Sequence, residues 1–254
     1  MRPIARILCL LMIAPFLMAQ NEPILVPEVS QSRIEVRQGF TGADLLLYGA
    51  IVDPAGSRSS TEYDIIVVLK GPTEPIRLRE KERIIGIWMN AGSSDFRSAP
   101  SFFAVASSRS IDEIVDDRTA AIYELGTEFI QLSPSGQIEP EEQARFASGL
   151  VDMRQRQGLY NEDPGGVRIS EKVLYQARIT LPSNVTTGQY TAETFAVADG
   201  RVLASATADI EVVKVGLEGS VVYASERFST LYGLGAILLS LAMGWIAGRL
   251  LARS

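Results

Sequence analysis

The chain has 254 residues, a formal net charge of −6, no histidine and a single cysteine, Cys9. The absence of histidine and the single cysteine exclude Ser-His-Asp and Cys-His nucleophile pairs, Cys/His zinc sites and His-ligated haem or copper centres. Residues 20–230 hold 20 basic and 30 acidic residues, and this net charge of −10 disfavours nucleic acid and anionic lipid headgroups as partners.

The first 19 residues have the pattern of a secretory signal peptide. Arg2 and Arg6 supply a positive start, residues 7–18 form an apolar stretch, and Ala19 is a small residue of the kind found at cleavage sites. Leu17 stands where a second small residue is usual, so an uncleaved signal anchor is the alternative. Cleavage would leave a mature chain without a thiol.

Residues 20–109 contain a series of short apolar or alternating runs separated by turn residues. This spacing is typical of strands in an antiparallel sandwich, and near-continuous apolar runs suit strands that are buried within it. Trp88 lies in the middle of one run, so we expect it in the core, and Gly39–Gly42 is expected to be a turn. The runs are Ile34–Val36, Asp44–Val52, Tyr63–Lys70, Ile76–Arg79, Ile84–Met89 and Ser101–Ala106.

Residues 110–165 predict a helical insertion. Ser110 and Glu113 have capping-box spacing, and Pro140 opens a second helix that ends before Gly158, with Phe146, Leu150 and Met153 as its apolar stripe. On a helix the carboxylates 112/116 and 113/117 would be neighbours. We interpret them as a solvated helix start, with a calcium site as the alternative. Residues 161–166 are interpreted as a turn, with a cation loop as the alternative.

Residues 166–216 return to strand patterns and are predicted to complete the sandwich. Val173–Leu181 alternates cleanly, with every second residue from Val173 facing inward, and two further strands follow around a turn at Asp199-Gly200. Tyr190 has the position of a tyrosine corner, which is a structural role. The predicted fold is mainly β: an immunoglobulin-like antiparallel sandwich, one large or two small, with a helical insertion and a C-terminal transmembrane helix.

The C-terminal residues predict one membrane crossing. After a stalk at residues 217–230, the stretch 231–250 is apolar apart from Tyr232, Ser240 and Arg249, and about 20 such residues are needed to span the bilayer core. Arg249 and Arg253 lie at the distal end, and the positive-inside rule places that end in the cytoplasm. Residues 251–254 would be a short cytoplasmic tail.

One face of this predicted helix carries only small side chains, which recur every four residues and include a G-x-x-x-G. Such a face allows another helix to approach closely. We therefore predict helix packing with an integral membrane protein or with a second copy of the chain, against the alternative of ordinary membrane-helix composition. The residues are Ala236, Ser240, Gly244 and Gly248.

Several segments resemble a family of alphaproteobacterial transmembrane proteins of unknown function. The resemblance covers nearly the whole chain and rests on the signal-plus-tail-helix layout and on these segments: 34–36, 39–42, 46–49, 86–90, 100–105 and 158–160. It implies a single-pass protein of the bacterial inner membrane with a periplasmic N-terminal domain. Because members lie beside sulfite-exporter-type permeases, it also implies an accessory role in transport.

Two functions remain open from the sequence. The first is a non-enzymatic, membrane-anchored interaction protein, an accessory subunit of an integral membrane protein or transporter; it predicts an exposed apolar patch. The second is a periplasmic binding module that delivers a small anion to a permease; it predicts a concave pocket with converging arginines. The candidates for that pocket are Arg77, Arg79, Arg83, Arg97 and Arg109. No catalytic residue, metal ligand or cofactor is predicted.

Overall fold

The computed structural model describes residues 23–53, 62–216, 225 and 227–251, so the predicted signal peptide lies outside the described residues. The strands are β1 (Ile24–Val29), β2 (Arg33–Val36), β3 (Gly42–Val52), β4 (Asp64–Lys70), β5 (Thr73–Ile84), β6 (Ile87–Pro100), β7 (Phe103–Ser107), β8 (Ser133–Pro134), β9 (Tyr160–Pro164), β10 (Val167–Ser170), β11 (Leu174–Pro182), β12 (Gly188–Ala198) and β13 (Arg201–Lys214). The helices are α1 (Ile111–Ile114), α2 (Asp117–Tyr123), α3 (Pro140–Arg156) and α4 (Ser229–Leu251).

The strands form three sheets, which confirms the mainly β fold. A four-stranded sheet in the order β1-β3-β11-β10 packs against a six-stranded sheet in the order β2-β13-β12-β4-β7-β9. A third sheet, β5-β6-β8, lies beyond them. Pairing is antiparallel except for β2 with β13 and β7 with β9. One buried apolar cluster draws on both large sheets and on the helices, which favours one large sandwich over two small ones.

The position of the central strand β4 explains why its sequence is continuously apolar. Ile65 to Leu69 are all 0% exposed. The edges of β4 pair with β12 and β7, and the six-stranded sheet is covered on both faces, by the four-stranded sheet and by α1 and α2. Tyr123 of α2, for example, packs edge-on against Phe195 of β12, with ring centroids 5.6 Å apart. A strand enclosed on both faces has no polar side, so it needs no alternation.

The strands after the helices follow the predicted alternation. In β11 Tyr175, Ala177, Ile179 and Leu181 are buried, whereas Val173 precedes the strand and is 47% exposed. The prediction that Val173 lies on the same face as these residues is therefore wrong, because the strand begins only at Leu174.

Tyr190 is confirmed as a tyrosine corner. Its ring is fully buried, and its hydroxyl donates to the Thr186 carbonyl over 2.8 Å. Burial raises the pKa of Tyr190 to about 12, so the hydroxyl keeps the proton that it donates. The bond ties the start of β12 to the loop that precedes it.

Two predictions about the helical segment are wrong in detail. Ser110 precedes α1 but its side chain makes no capping bond, and the helix ends after four residues. A second helix starts afresh at Asp116, whose carboxylate accepts from the Thr119 amide over 2.9 Å. The two carboxylate pairs therefore do not share one helix. Residues 161–164, interpreted as a turn, belong to β9, and the turn follows at Gly165-Gly166.

The third sheet is a long ribbon that continues out of the six-stranded sheet. Strand β4 runs through Gly71-Pro72 into β5, and β6 runs through Ser101-Phe102 into β7, with backbone bonds across the junction from Gly71 to Phe102 and from Ser101 to Pro72. The ribbon leaves the sandwich at the end where β13 finishes, because Gly188 pairs with Val212 and also approaches Pro72.

Candidate interaction surfaces

Helix α4 is the one described helix that is long and apolar enough to cross a membrane. Its candidate span is Ser229–Arg249, and none of that stretch is buried within the chain. Near its end Arg249 lies over the Trp245 ring at 5.4 Å, a cation–π pair of the kind that suits a membrane boundary. The helix therefore presents all its described side chains to whatever surrounds it.

The predicted packing residues lie on this uncovered helix and form a groove-like face without bulk. A side chain added at Gly244 or Gly248 would meet nothing within 4 Å. The Ser240 hydroxyl donates to the Ala236 carbonyl one turn earlier over 2.8 Å, so it is satisfied within its own helix. The face therefore offers close backbone approach rather than a polar side-chain contact.

The most exposed apolar surface of the folded domain is the end of the β5–β6 ribbon. We define the hairpin tip as residues 84–89, where Ile85-Gly86 forms the turn. Ile85 is 98% exposed, Trp88 68% and Ile87 66%. The prediction that Trp88 lies in the core is wrong, because none of the other described sheets or helices covers it at this end of the ribbon. Residues 84–89 are also two strand ends around a turn rather than one strand.

The backbone of the turn is strained by its own sequence. Ile85 has φ of 51° and Gly86 has φ of 83°. Two consecutive positive φ values are typical of tight hairpin turns that match the twist of the strands, and they favour Asn-Gly. Glycine adopts this region freely, but a β-branched side chain does so only at a cost. Isoleucine is thus an unfavourable residue for this turn and is also fully in solvent.

Charged residues surround the base of the tip. Glu80, Lys81, Glu82 and Arg83 precede the final residue of β5, and their formal charges cancel. Glu80 forms an ion pair with Arg145 of α3, which lies along the ribbon. Phe146 of the same helix packs edge-on against Phe96, with ring centroids 6.3 Å apart. The base of the ribbon is therefore braced by α3, whereas its tip is not.

A large cavity elsewhere in the domain is lined by charged rather than apolar side chains. It has a volume of about 1260 Å³ at the far end of the sandwich, and its described lining has seven carboxylates and two basic side chains. Partial burial works to raise the pKa of Asp64, but hydrogen bonds from Arg109 and Ser108 and the Arg109 charge outweigh it and lower that pKa. The charged lining residues are Glu62, Asp64, Asp112, Glu113, Asp116, Glu171, Asp199, Arg109 and Lys172.

The five candidate arginines do not converge. Arg109 lies at the acidic cavity and pairs with Asp64 over 2.6 Å. Arg77 and Arg79 share a shallow cavity of about 250 Å³ on the ribbon, but Asp95 holds the Arg77 guanidinium with two hydrogen bonds of 2.5 and 2.8 Å. Arg83 turns its side chain to the Gly86 carbonyl. Arg97 is exposed on β6. An anion would have to displace the contacts of Arg77, Arg83 and Arg109.

The carboxylates singled out from the sequence do not form a metal centre in the described part of the chain, where no group of three or more potential ligands is suitably placed. Asp112, Glu113 and Asp116 open into the acidic cavity, while Asp163 belongs to β9. The residues that sequence reasoning missed are those of the hairpin tip. A signal was present, since Gly86 interrupts the apolar run at its middle and alternating charges precede it.

A scan against protein families matches residues 24–253 to the family described as "Putative transmembrane protein (Alph_Pro_TM)". A search of the curated proteins finds no match to the chain. The match covers the sandwich, the ribbon and the apolar tail helix, and it confirms the family that the resemblance in sequence had indicated. The chain is therefore a membrane-associated, mainly β protein that belongs to this transmembrane protein family.

Proposed function

We propose that the protein is a non-enzymatic, membrane-anchored interaction protein that acts as an accessory subunit of an integral membrane protein. One observation carries this proposal: α4 has no packing partner within the described chain, and it has a face without side-chain bulk. In a bilayer, lipid tails give no hydrophobic drive for association, so close van der Waals contact at small residues is what holds helices together. The groove at Gly244 and Gly248 suits such contact.

The solute-binding alternative has less support. An anion site needs donors that point into one cavity, whereas the acidic cavity has seven carboxylates against two basic side chains and the arginines are spread between two ends of the molecule. A transported anion would be repelled from the first and would compete with Asp95 at the second. The absence of histidine and the position of the only cysteine in the predicted signal keep an enzymatic role the least favoured.

The test is affinity purification of the full chain from native membranes in mild detergent. Gly244→Ile and Gly248→Ile should lower recovery of a co-purifying integral membrane protein roughly tenfold, which corresponds to a loss of about 1–2 kcal/mol of helix contact. Both side chains enter open space, so the fold and the insertion of α4 should survive. Leu238→Ile, a change at a 67% exposed residue on the opposite face, is the matched control.

Equal recovery with all three variants would contradict the proposal, because the small face would then be ordinary membrane-helix composition. Self-association is separated from a heterologous partner by co-expressing two differently tagged copies. If the second copy is the only protein recovered, the accessory role is wrong and α4 is a dimer helix.

We also propose that the sandwich is periplasmic and that the C-terminus is cytoplasmic, anchored in the bacterial inner membrane. The support is Arg249 and Arg253 at the distal end of the helix and the signal-like first 19 residues. Alkaline phosphatase fused after Gly216 should be active, and the same reporter fused after Ser254 should be inactive. An active fusion at Ser254 would reverse the orientation.

A further inference from the structure

We infer that the hairpin tip is a second membrane attachment, which inserts into the interfacial region of the same leaflet that α4 enters. This inference goes beyond the proposed accessory role and does not depend on a protein partner. It rests on the distribution of apolar side chains around the tip, on the strained Ile85, and on the reach of the ribbon.

The tip carries apolar side chains on both faces of the ribbon, and one charged group, Arg83, lies across from Trp88 and donates to the Gly86 carbonyl. Successive strand residues point to opposite faces of a sheet, so the consecutive Ile87, Trp88 and Met89 place apolar groups on both faces of the ribbon, while Ile85 caps its end. A groove on a folded partner would contact one face and leave the other in water. A medium that surrounds the tip would cover both faces, and tryptophan is enriched at membrane interfaces.

The choice of isoleucine at position 85 has no explanation within the domain. Its φ of 51° is costly for a β-branched residue, and its side chain is 98% exposed, so it contributes neither to the turn nor to the core. Backbone strain at a position that the fold does not need points to a role outside the fold. A large aliphatic group at the leading point of the ribbon fits insertion into an apolar medium.

The ribbon can reach the membrane. It leaves the sandwich at the end where β13 finishes and the chain continues toward α4. At roughly 3.3 Å per residue, β5 spans about 40 Å beyond Pro72. Between Gly216 and Ser229 the chain can extend by at most about 45 Å. The stalk therefore holds the sandwich no more than about 45 Å from the start of α4, and the ribbon, about 40 Å long, nearly spans that distance.

The depth and charge of the tip also suit an interface. Between Ile85 and the Glu82–Met89 pair the tip measures about 10 Å, close to the depth to which interfacial segments enter the headgroup and acyl boundary. Glu80 to Arg83 form a charged collar with no net charge around the base of the tip, where Arg83 pairs with Trp88 and Glu82 with Met89. Attachment would therefore come from apolar burial, which acts despite the overall negative charge of the domain and is insensitive to salt.

The experiment uses the purified full chain, one copy per lipid nanodisc of phosphatidylcholine. Trp245→Phe leaves Trp88 as the sole tryptophan. We expect a blue-shifted Trp88 emission, strong quenching by lipids that carry a spin label near the headgroup, and weak quenching by aqueous acrylamide, at both low and high salt. Deep-chain spin labels should quench less.

Ile85→Asn and Ile87→Asn in that background should each lower the ratio of inserted to free tip about tenfold or more, since burying one large aliphatic side chain is worth about that factor. Ile85→Asn also suits the turn, so a loss of quenching cannot be explained by unfolding. Ile122→Asn, at a 63% exposed isoleucine on the side of the sandwich, should leave quenching unchanged.

Two outcomes would overturn the inference. If acrylamide quenches Trp88 as it quenches a free tryptophan analogue, the tip is in water. If Trp88 becomes protected only when native membrane proteins are added, the tip binds a protein surface instead. Both results concern Trp88 alone and leave the helix-packing proposal untouched, because that proposal is tested by Gly244→Ile and Gly248→Ile on α4.

Discussion

Two apolar runs of similar composition have opposite environments in this protein. In the centre of β4, Ile65 to Leu69 are completely buried, whereas Ile85, Ile87 and Trp88 of the hairpin tip are 66–98% exposed. Both runs are rich in β-branched residues, and both contribute to strands, although the second is interrupted by the turn at Ile85-Gly86. The difference lies in what surrounds them.

Strand β4 has a hydrogen-bonded neighbour on each edge and is covered on both faces, whereas the tip has only the other arm of its own hairpin. The comparison shows that an apolar run predicts extended structure more safely than it predicts burial. Burial depends on whether other elements arrive at the same place. At the ribbon, α3 covers the base through Phe146 but does not extend to the tip.

The strongest test of the comparison places the same charge in both runs. Val67→Asp puts a carboxylate where no solvent reaches, and should cost more than about 4 kcal/mol of unfolding free energy, enough to prevent folding. Ile87→Asp should change it by less than about 0.5 kcal/mol. Denaturant titration of the full chain in detergent, followed by circular dichroism, measures both. A large loss with Ile87→Asp would mean that the tip is packed in the isolated protein.

The next test locates the point at which the ribbon ceases to be buried. Phe146→Ala removes the side chain that packs on Phe96 at the ribbon base, and should cost about 3 kcal/mol or more. Met153→Ala on the same helix, where the side chain is 39% exposed, should cost less than about 1 kcal/mol. Similar losses in thermal unfolding would show that α3 does not brace the ribbon through Phe146.

A smaller effect, and one of opposite sign, is expected at the turn. Ile85→Asn relieves the unfavourable positive φ and should raise the unfolding free energy by about 0.5–1 kcal/mol. Ile85→Val keeps the β-branch and the strain, and should leave stability unchanged. If both variants behave alike in thermal unfolding, the turn stores no strain that depends on the side chain.

The smallest effect concerns the polar start of β4, where Asp64 pairs with Arg109. Because folding lowers the pKa of Asp64, the stability it contributes is present above its unfolded pKa of about 3.9 and is lost as pH falls below that value. At neutral pH the pair should contribute less than about 1 kcal/mol, since Arg109 is half exposed.

Melting temperatures of Asp64→Asn and Arg109→Gln, alone and combined, measure this coupling. We expect a small positive coupling at pH 7 that declines as pH falls below the unfolded pKa of about 3.9. A coupling that persists unchanged at pH 3 would contradict ionisation of Asp64 as its origin.

Much of the architecture follows from local patterns. The run Asp44–Val52, the alternation of β11, the tyrosine corner and the helix after Pro140 agree with the structure because each depends on a periodicity or a terminus signal within about a dozen residues. The failures involve contacts between distant segments. Residues 160–164 become a strand because β7, more than fifty residues earlier, offers a free edge in parallel.

The sequence by itself determined the β-rich class, the tail helix and the chemistry that is excluded, because composition and periodicity act locally along the chain. Only the tertiary structure decided which apolar residues are covered. In the tertiary structure Ile85 and Trp88 lie beyond the end of the sandwich. The candidate arginines lie apart, and seven carboxylates line the cavity at the far end. Whether a residue is buried depends on the elements that long-range pairing places next to it. The sequence around the residue does not show how far those elements extend.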